Sequence, residues 1–154
     1  MQNNFDLPPK AVSIGQPWST LLAIGVLDKL VIRQSYSYRG LIAIHANTMT
    51  CTDDEDKMCK QTDIAKALTK AGHRGFLDEH GAGVHLLAKA SIVGIAELID
   101  IKWEKGREYT WVFKNPRQLP KPIPARGAFG IFDTQRAIST APQKKPTQRR
   151  FKKR

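Results

Sequence analysis

The residues best suited to chemistry in this chain are cations, and their placement is uneven. Lys144, Lys145, Arg149, Arg150, Lys152, Lys153 and Arg154 lie within the last eighteen positions, where no acid accompanies them. The whole chain carries a formal charge of +11, so these seven leave +4 on the remainder. Clustered cations beside polyanionic phosphates release condensed counterions and give an affinity that salt weakens. Phe151, between Arg150 and Lys152, adds a ring on which a base can stack. A membrane surface attracts the same charges, but no amphipathic apolar face accompanies them, so nucleic acid is the expected partner and a membrane is not.

A second group lies nearer the start. Lys29 and Arg33 are four residues apart across Leu30-Val31-Ile32, a run that reads as a strand. Side chains on a strand alternate with period two, so both cations point the same way. Arg39 follows before Gly40. Read by themselves, such cations are solvated groups that discourage pairing at a sheet edge. Metal chemistry is not expected. Cys51 and Cys59 have seven residues between them, the His residues are scattered, and zinc sites favour a much shorter Cys spacing. No cofactor is implied.

These groups must be positioned by the stretch from Ala11 to Ala46. Ala11–Ile14 is a short apolar strand run that Gly15 interrupts. Gln16-Pro17 then opens an apolar helix, Trp18 to Ile24, closed by Gly25. Pro suits a helix start, where its missing N–H costs nothing, and Gly suits the left-handed residue past the end. Leu41–Ala46 reads as a further buried strand. Thr48–Lys60 is polar and acidic, with Asp53, Asp54, Glu55 and Asp56, and reads as a loop that could dock a basic protein partner. Ile64, Ala65, Ala67, Leu68 and Ala71 recur at helical spacing up to Gly72, which predicts an amphipathic helix. His73–His85 is loop-like. Leu86–Ile101 predicts a long central strand with Gly94 at a bulge or close approach. Lys102–Tyr109 reads as a charged connection, Thr110–Phe113 as the returning strand and Asn115–Pro124 as an extended loop, with a turn at Asn115-Pro116-Arg117. Trp111 and Phe113 share a strand face and are expected in the core. Ala128–Phe132 reads as the last strand.

Taken together, the order of Gln16-Pro17-Trp18, Gly25 with Lys29 and Arg33, Tyr38-Arg39-Gly40 and Ile42-Ala43-Ile44-His45-Ala46 resembles the ASCH domain, a small β-barrel related to PUA RNA-binding modules. Ile92–Asp100, Trp111–Arg117, Pro122-Ile123-Pro124 and Gly127 continue the likeness to about residue 133. The resemblance implies an α+β fold: a PUA-like small mixed β-barrel with one or two flanking helices. It divides the chain into a flexible leader (1–10), the barrel domain (11–135) and a disordered basic C-terminal tail (136–154), whose composition is too polar to offset ordering entropy. It also implies a cleft in which Gln16 and Trp18, at a helix start, face Lys29, Arg33 and Arg39, a setting suited to a phosphate.

The function so implied is RNA or single-stranded nucleic-acid binding, reading shape and unpaired bases, with the tail reinforcing the grip. The alternative is a small hydrolase, since relatives include proteins that cleave RNA and others that hydrolyse an amide on a modified cytidine nucleoside. Lys29 is then the best catalytic candidate. Family members commonly place a Glu three residues after the Lys and an Arg two beyond it; here Ile32 and Gln34 stand there, and Arg33 lies one place early. Asp28, Glu97 and Asp100 are the available substitute acids.

Length sets the remaining bounds. A chain of 154 residues suits one domain with a proper core. No apolar run is long enough to span a bilayer, no signal peptide is legible, and two Cys imply no disulfide framework. A reduced, cytoplasmic setting is expected.

Overall fold

The computed structural model describes residues 7–49, 51–73, 75–76 and 83–141. They form a mixed α+β domain around one six-stranded sheet. In chain order the strands are β1 (Lys10–Ile14), β2 (Lys29–Ile32), β3 (Gly40–Ala46), β4 (Ser91–Lys105), β5 (Glu108–Pro124) and β6 (Ile131–Asp133). The helices are α1 (Trp18–Ala23), α2 (Asp53–Cys59), α3 (Thr62–Lys70) and α4 (Thr134–Ser139). Across the sheet the order is β2-β5-β4-β3-β1-β6. All neighbours are antiparallel except β1 and β3, which run parallel and place Ser13 directly opposite His45.

Two-residue alternation gives the sheet two apolar faces. Val12, Ile14, Ile42 and Ile44 point into the main core with Leu98, Trp111 and Phe113. Trp111 is fully buried, as its spacing with Phe113 implies, and its indole N–H donates to the carbonyl of Gln34 at 2.8 Å. Ala11 and Ala43 point the other way, joining Ile92, Ile95, Leu119, Ala125 and Ala137. Helix α1 lies against β4 at Gly94, where a Cβ would approach the Ala23 Cβ to 2.6 Å and the Arg117 carbonyl to 2.8 Å. Gly94 is therefore a place of close approach, next to irregular β4–β5 register.

Several expectations need correction. The acidic segment is not a loop: Thr52 accepts from the Glu55 N–H and Glu55 answers to the Thr52 N–H, a reciprocal cap that nucleates α2. Its four acids fall in the first turn, where the helix dipole favours negative charge. The long strand starts at Ser91 rather than Leu86, because Gly83–Leu86 winds into a 3-10 turn, and it continues past Ile101 to Lys105. The expected charged connection shrinks to Gly106-Arg107, with Gly106 at positive φ between the paired residues Lys105 and Glu108.

Asn115–Pro124 is likewise no loop. It prolongs β5, and its prolines are accommodated where β5 carries extra residues relative to β4, as strands tolerate Pro at bulges. Asn115 takes a positive φ there and donates to Glu97 at 3.2 Å, so a bulge replaces the expected turn. At the ends, Leu7 packs on the core and the Pro9 carbonyl accepts from the Thr134 N–H, so the leader's last residues belong to the fold. Helix α4 crosses the expected boundary at 135 and buries Ala137. Among the described residues no helix is long and apolar enough to cross a membrane.

Candidate functional site

The strands β2 and β6 end the hydrogen-bonded order, and the end of β2 and the residues leading into β6 border the same hollow. Ile32, Arg33 and Gln34, at the end of β2, line it together with Phe129 and Gly130 leading into β6. Its floor comes from Val12 and Ser13 of β1 and His45 of β3, and its rim from Asn47, Met49 and Arg126. The cavity measures about 720 Å³. A smaller one of about 410 Å³ adjoins it through Ser13 and Ile32 and is bordered by Trp18, Leu30 and Val31.

Register makes the floor. Ser13 and His45 are polar residues within apolar strand runs, brought side by side by the parallel pairing of β1 with β3. His45 is almost wholly buried. Its Nε2 lies 2.7 Å from the Ala125 carbonyl, which can only accept, so Nε2 carries the proton. Nδ1 is then an acceptor, and the Ser13 hydroxyl donates to it at 3.2 Å. Burial lowers the His45 pKa, with the Ala125 hydrogen bond opposing in part, and the net effect favours the neutral base in this tautomer at neutral pH. Phe132 meets the ring edge-on. Gly127 closes over the pair so tightly that a Cβ would come within 2.6 Å of the His45 Cε1 and 3.2 Å of the Ser13 Oγ.

Two guanidinium groups supply charge at this hollow. Among the described residues, the side chains of Arg33 and Arg126 make no ion pair or hydrogen bond. Phe129, 85% exposed, stands beside them as an uncovered ring.

The expected site residues do not gather in one cleft. Arg33 lines the large cavity, whereas Lys29, exposed at the start of β2, lines none of the cavities described here. Arg39 is turned to its own loop, donating to the Tyr36 and Tyr38 carbonyls at 2.7 and 2.8 Å. Gln16 is buried and structural: it donates to the Ala88 carbonyl and accepts from the Thr20 N–H inside α1. Trp18 borders the smaller cavity and donates to Glu55 at 3.3 Å. The cations from Lys144 to Arg154 lie outside the described residues.

The substitute acids also lie away from the hollow. Glu97 is engaged by Asn115, and Asp100 by the Ile101 N–H, while Asp28 offers its carbonyl to the Phe113 N–H. Of the acids at 53–56, Glu55 holds Trp18, and Asp56 holds the Val84 N–H and Lys60, leaving Asp53 and Asp54 exposed. Cys51 and Cys59 are buried free thiols, and burial pushes Cys59 up to about 12. Among the described residues no three His, Cys, Asp or Glu side chains converge as metal ligands.

Sequence reasoning missed Ser13, Asn47, Arg126 and Phe129 and valued His45 only as a scattered imidazole. The one local signal was a polar residue interrupting each apolar strand, at Ser13 and at His45. In comparisons with known proteins, no family model matches the chain and no curated protein matches it.

Proposed function

We propose that this protein binds single-stranded nucleic acid, RNA before DNA, by seating one nucleotide unit in the 720 Å³ hollow. In this reading the six-stranded sheet is a PUA-like barrel and the hollow is the cleft of that barrel. The single observation that carries it is the pair Arg33 and Arg126, which among the described residues stand unpartnered on the wall of one cavity of suitable size. Small-ligand sites span about 300–1,000 Å³, and a guanidinium matches phosphate in bidentate fashion. Phe129 offers a face for a base, and Asn47, Gln34 and Ser13 offer donors and acceptors for its edge. The preference for RNA rests on the ASCH resemblance. The cations between Lys144 and Arg154 add affinity without sequence preference.

The test is filter binding of labelled RNA to the full chain, to the Arg33→Ala/Arg126→Ala variant, and to a chain ending at residue 141. Ending there spares Ala137, which is buried. Each phosphate left without its arginine should flatten the slope of log K against log salt by about 0.7 for a single strand. The double variant should therefore flatten the slope by about 1.4, close to sevenfold in affinity ratio between about 50 and 200 mM salt. An unchanged slope in the double variant sinks the cavity as the phosphate site. Unchanged affinity in the shortened chain shows that the tail takes no part in binding.

A hydrolytic reading is favoured by one observation, the Ser13–His45 contact. A hydroxyl hydrogen-bonded to a neutral imidazole that is itself oriented by a carbonyl is an arrangement that activates Ser for attack on a carbonyl carbon. Incubation with RNA and with acetylated cytidine distinguishes this reading: turnover that disappears in Ser13→Ala but persists in Lys29→Ala would promote it over binding alone.

A further inference from the structure

The segment Arg126-Gly127-Ala128 lines not only the large hollow but also a third cavity, itself of about 410 Å³ and distinct from the one beside Trp18, bordered by Asp133, Arg136 and Thr140. The two cavities therefore share this segment as their common wall. Gly127 presents no side chain, and Ser13 and His45 leave no room for one; Ala128 presents a methyl group. The partition is also fixed, because the Arg126 N–H donates to the Ala137 carbonyl of α4 at 2.8 Å and the Ala125 carbonyl holds His45. Arg126 thus stands at the junction, with Arg33 in one cavity and Arg136 in the other. Among the described residues the Arg136 guanidinium, like the other two, has no partner.

We infer that the two cavities form one track, in which a strand seated in the first hollow crosses Gly127-Ala128 and places its next phosphate against Arg126 and Arg136. The inference rests on the proposed nucleic-acid reading and adds to it a second subsite and a direction of exit. An extended single strand presents one phosphate per nucleotide, and a row of cations with no bulky side chain between them follows a backbone without reading bases. Among the described residues that line the track, Asp133 is the one acid. Its carboxylate caps α4, accepting from the Arg136 N–H at 2.9 Å, and its charge opposes a phosphate there.

Changes at Arg136 and at Asp133 should act in opposite directions on a ligand long enough to cross, and not at all on one that is not. Binding of uridine monophosphate and of labelled oligouridylates of increasing length to the full chain is compared by calorimetry and anisotropy at low salt. Arg136→Ala should weaken the longer ligands about five- to tenfold while leaving the mononucleotide unchanged. Asp133→Asn, which keeps a good helix cap, should tighten the longer ligands about two- to threefold. Arg107→Ala, in the exposed β4–β5 turn, controls for a general reduction in charge. If Arg107→Ala weakens the oligomers as much as Arg136→Ala, or if neither Arg136→Ala nor Asp133→Asn moves them, the track is refuted. If no ligand binds and Arg33→Ala is silent, the nucleic-acid reading itself is refuted.

Discussion

Replacing Gly127 by Ala tests the geometry of the site with a single methyl group. The added Cβ would stand 2.6 Å from the His45 Cε1, 3.0 Å from its Nδ1 and 3.2 Å from the Ser13 Oγ, all inside ordinary contact distance. The ring has nowhere to retreat, since it is pinned by the Ala125 carbonyl and Ser13 and backed by Phe132. Overpacking of this kind costs about 1–3 kcal/mol. Displacing the ring also weakens a hydrogen bond worth about 1 kcal/mol net, for a total of about 2–4 kcal/mol. For a domain of this size each kcal/mol lowers Tm by about 3 °C, so a fall of about 6–12 °C is expected. Urea unfolding followed by circular dichroism measures the destabilisation directly. Gly15→Ala is the control, because its Cβ would find nothing nearer than 3.5 Å, and it should change stability by no more than about 0.5 kcal/mol. In a His45→Ala background the nearest obstacle is gone and only the Ser13 Oγ at 3.2 Å remains, so Gly127→Ala should cost less by a coupling of about 2 kcal/mol. If Gly127→Ala costs as much with the imidazole absent as with it present, the close packing of Gly127 on His45 is not the cause and the reasoning fails.

Other consequences are more quickly stated. His45 is kept neutral by burial, so its folded pKa lies below 6.5 and the unfolded chain binds the extra proton. Stability should therefore fall as pH drops below about 6.5, by up to about 1.4 kcal/mol per pH unit, and His45→Asn should remove that component from urea midpoints measured across the range. Cys59, raised from 9.0 to about 12, has the opposite sign. Its contribution is complete below pH 9.0 and declines as pH rises from there toward about 12, and native protein should react with a thiol reagent at Cys59 only after denaturant is added. Thr52→Ala removes the cap that turns the acidic segment into α2 and should cost about 1 kcal/mol by the same unfolding assay; no change would mean that the packing of Cys59 alone holds the helix.

Much of the sheet was legible because its strands obey local rules. Ala11–Ile14, Leu30–Ile32 and Leu41–Ala46 are apolar runs bounded by Gly or charge, and β1, β2 and β3 lie over them. The Trp18 helix had a leading Pro17 and a terminating Gly25, the one ending before Gly72 had periodicity and a terminating glycine, and they formed as α1 and α3. Errors arose where a longer-range or reciprocal interaction overrides composition. Four adjacent acids look like a solvated loop unless the Thr52–Glu55 exchange is noticed. Prolines in 116–124 look like a loop unless a partner strand is present to absorb them as bulges. Ala137 looks like part of a polar tail unless the face formed by Ala11 and Ala43 is known to need a cover.

The site was less legible than the fold, for a related reason. Lys29, Arg33 and Arg39 are close in sequence, but one strand and one turn send them to different surroundings, and only Arg33 reaches the hollow. The residues that replace them are grouped by pairing instead. Ser13 and His45 meet because β1 lies parallel to β3 in one register, and Arg126 arrives from the far end of the chain. A one-residue slip of β1 against β3 would turn Ser13 into the main core and Val12 toward His45. Such a slip would leave a buried imidazole without its hydroxyl partner and a hydroxyl without an acceptor, each costing about 1–3 kcal/mol. The polar pair on the floor of the cavity thus also fixes the register of the strands that build it, so mutations that disturb the pair should shift ligand binding and stability together, whereas Arg33→Ala at the wall should shift binding alone.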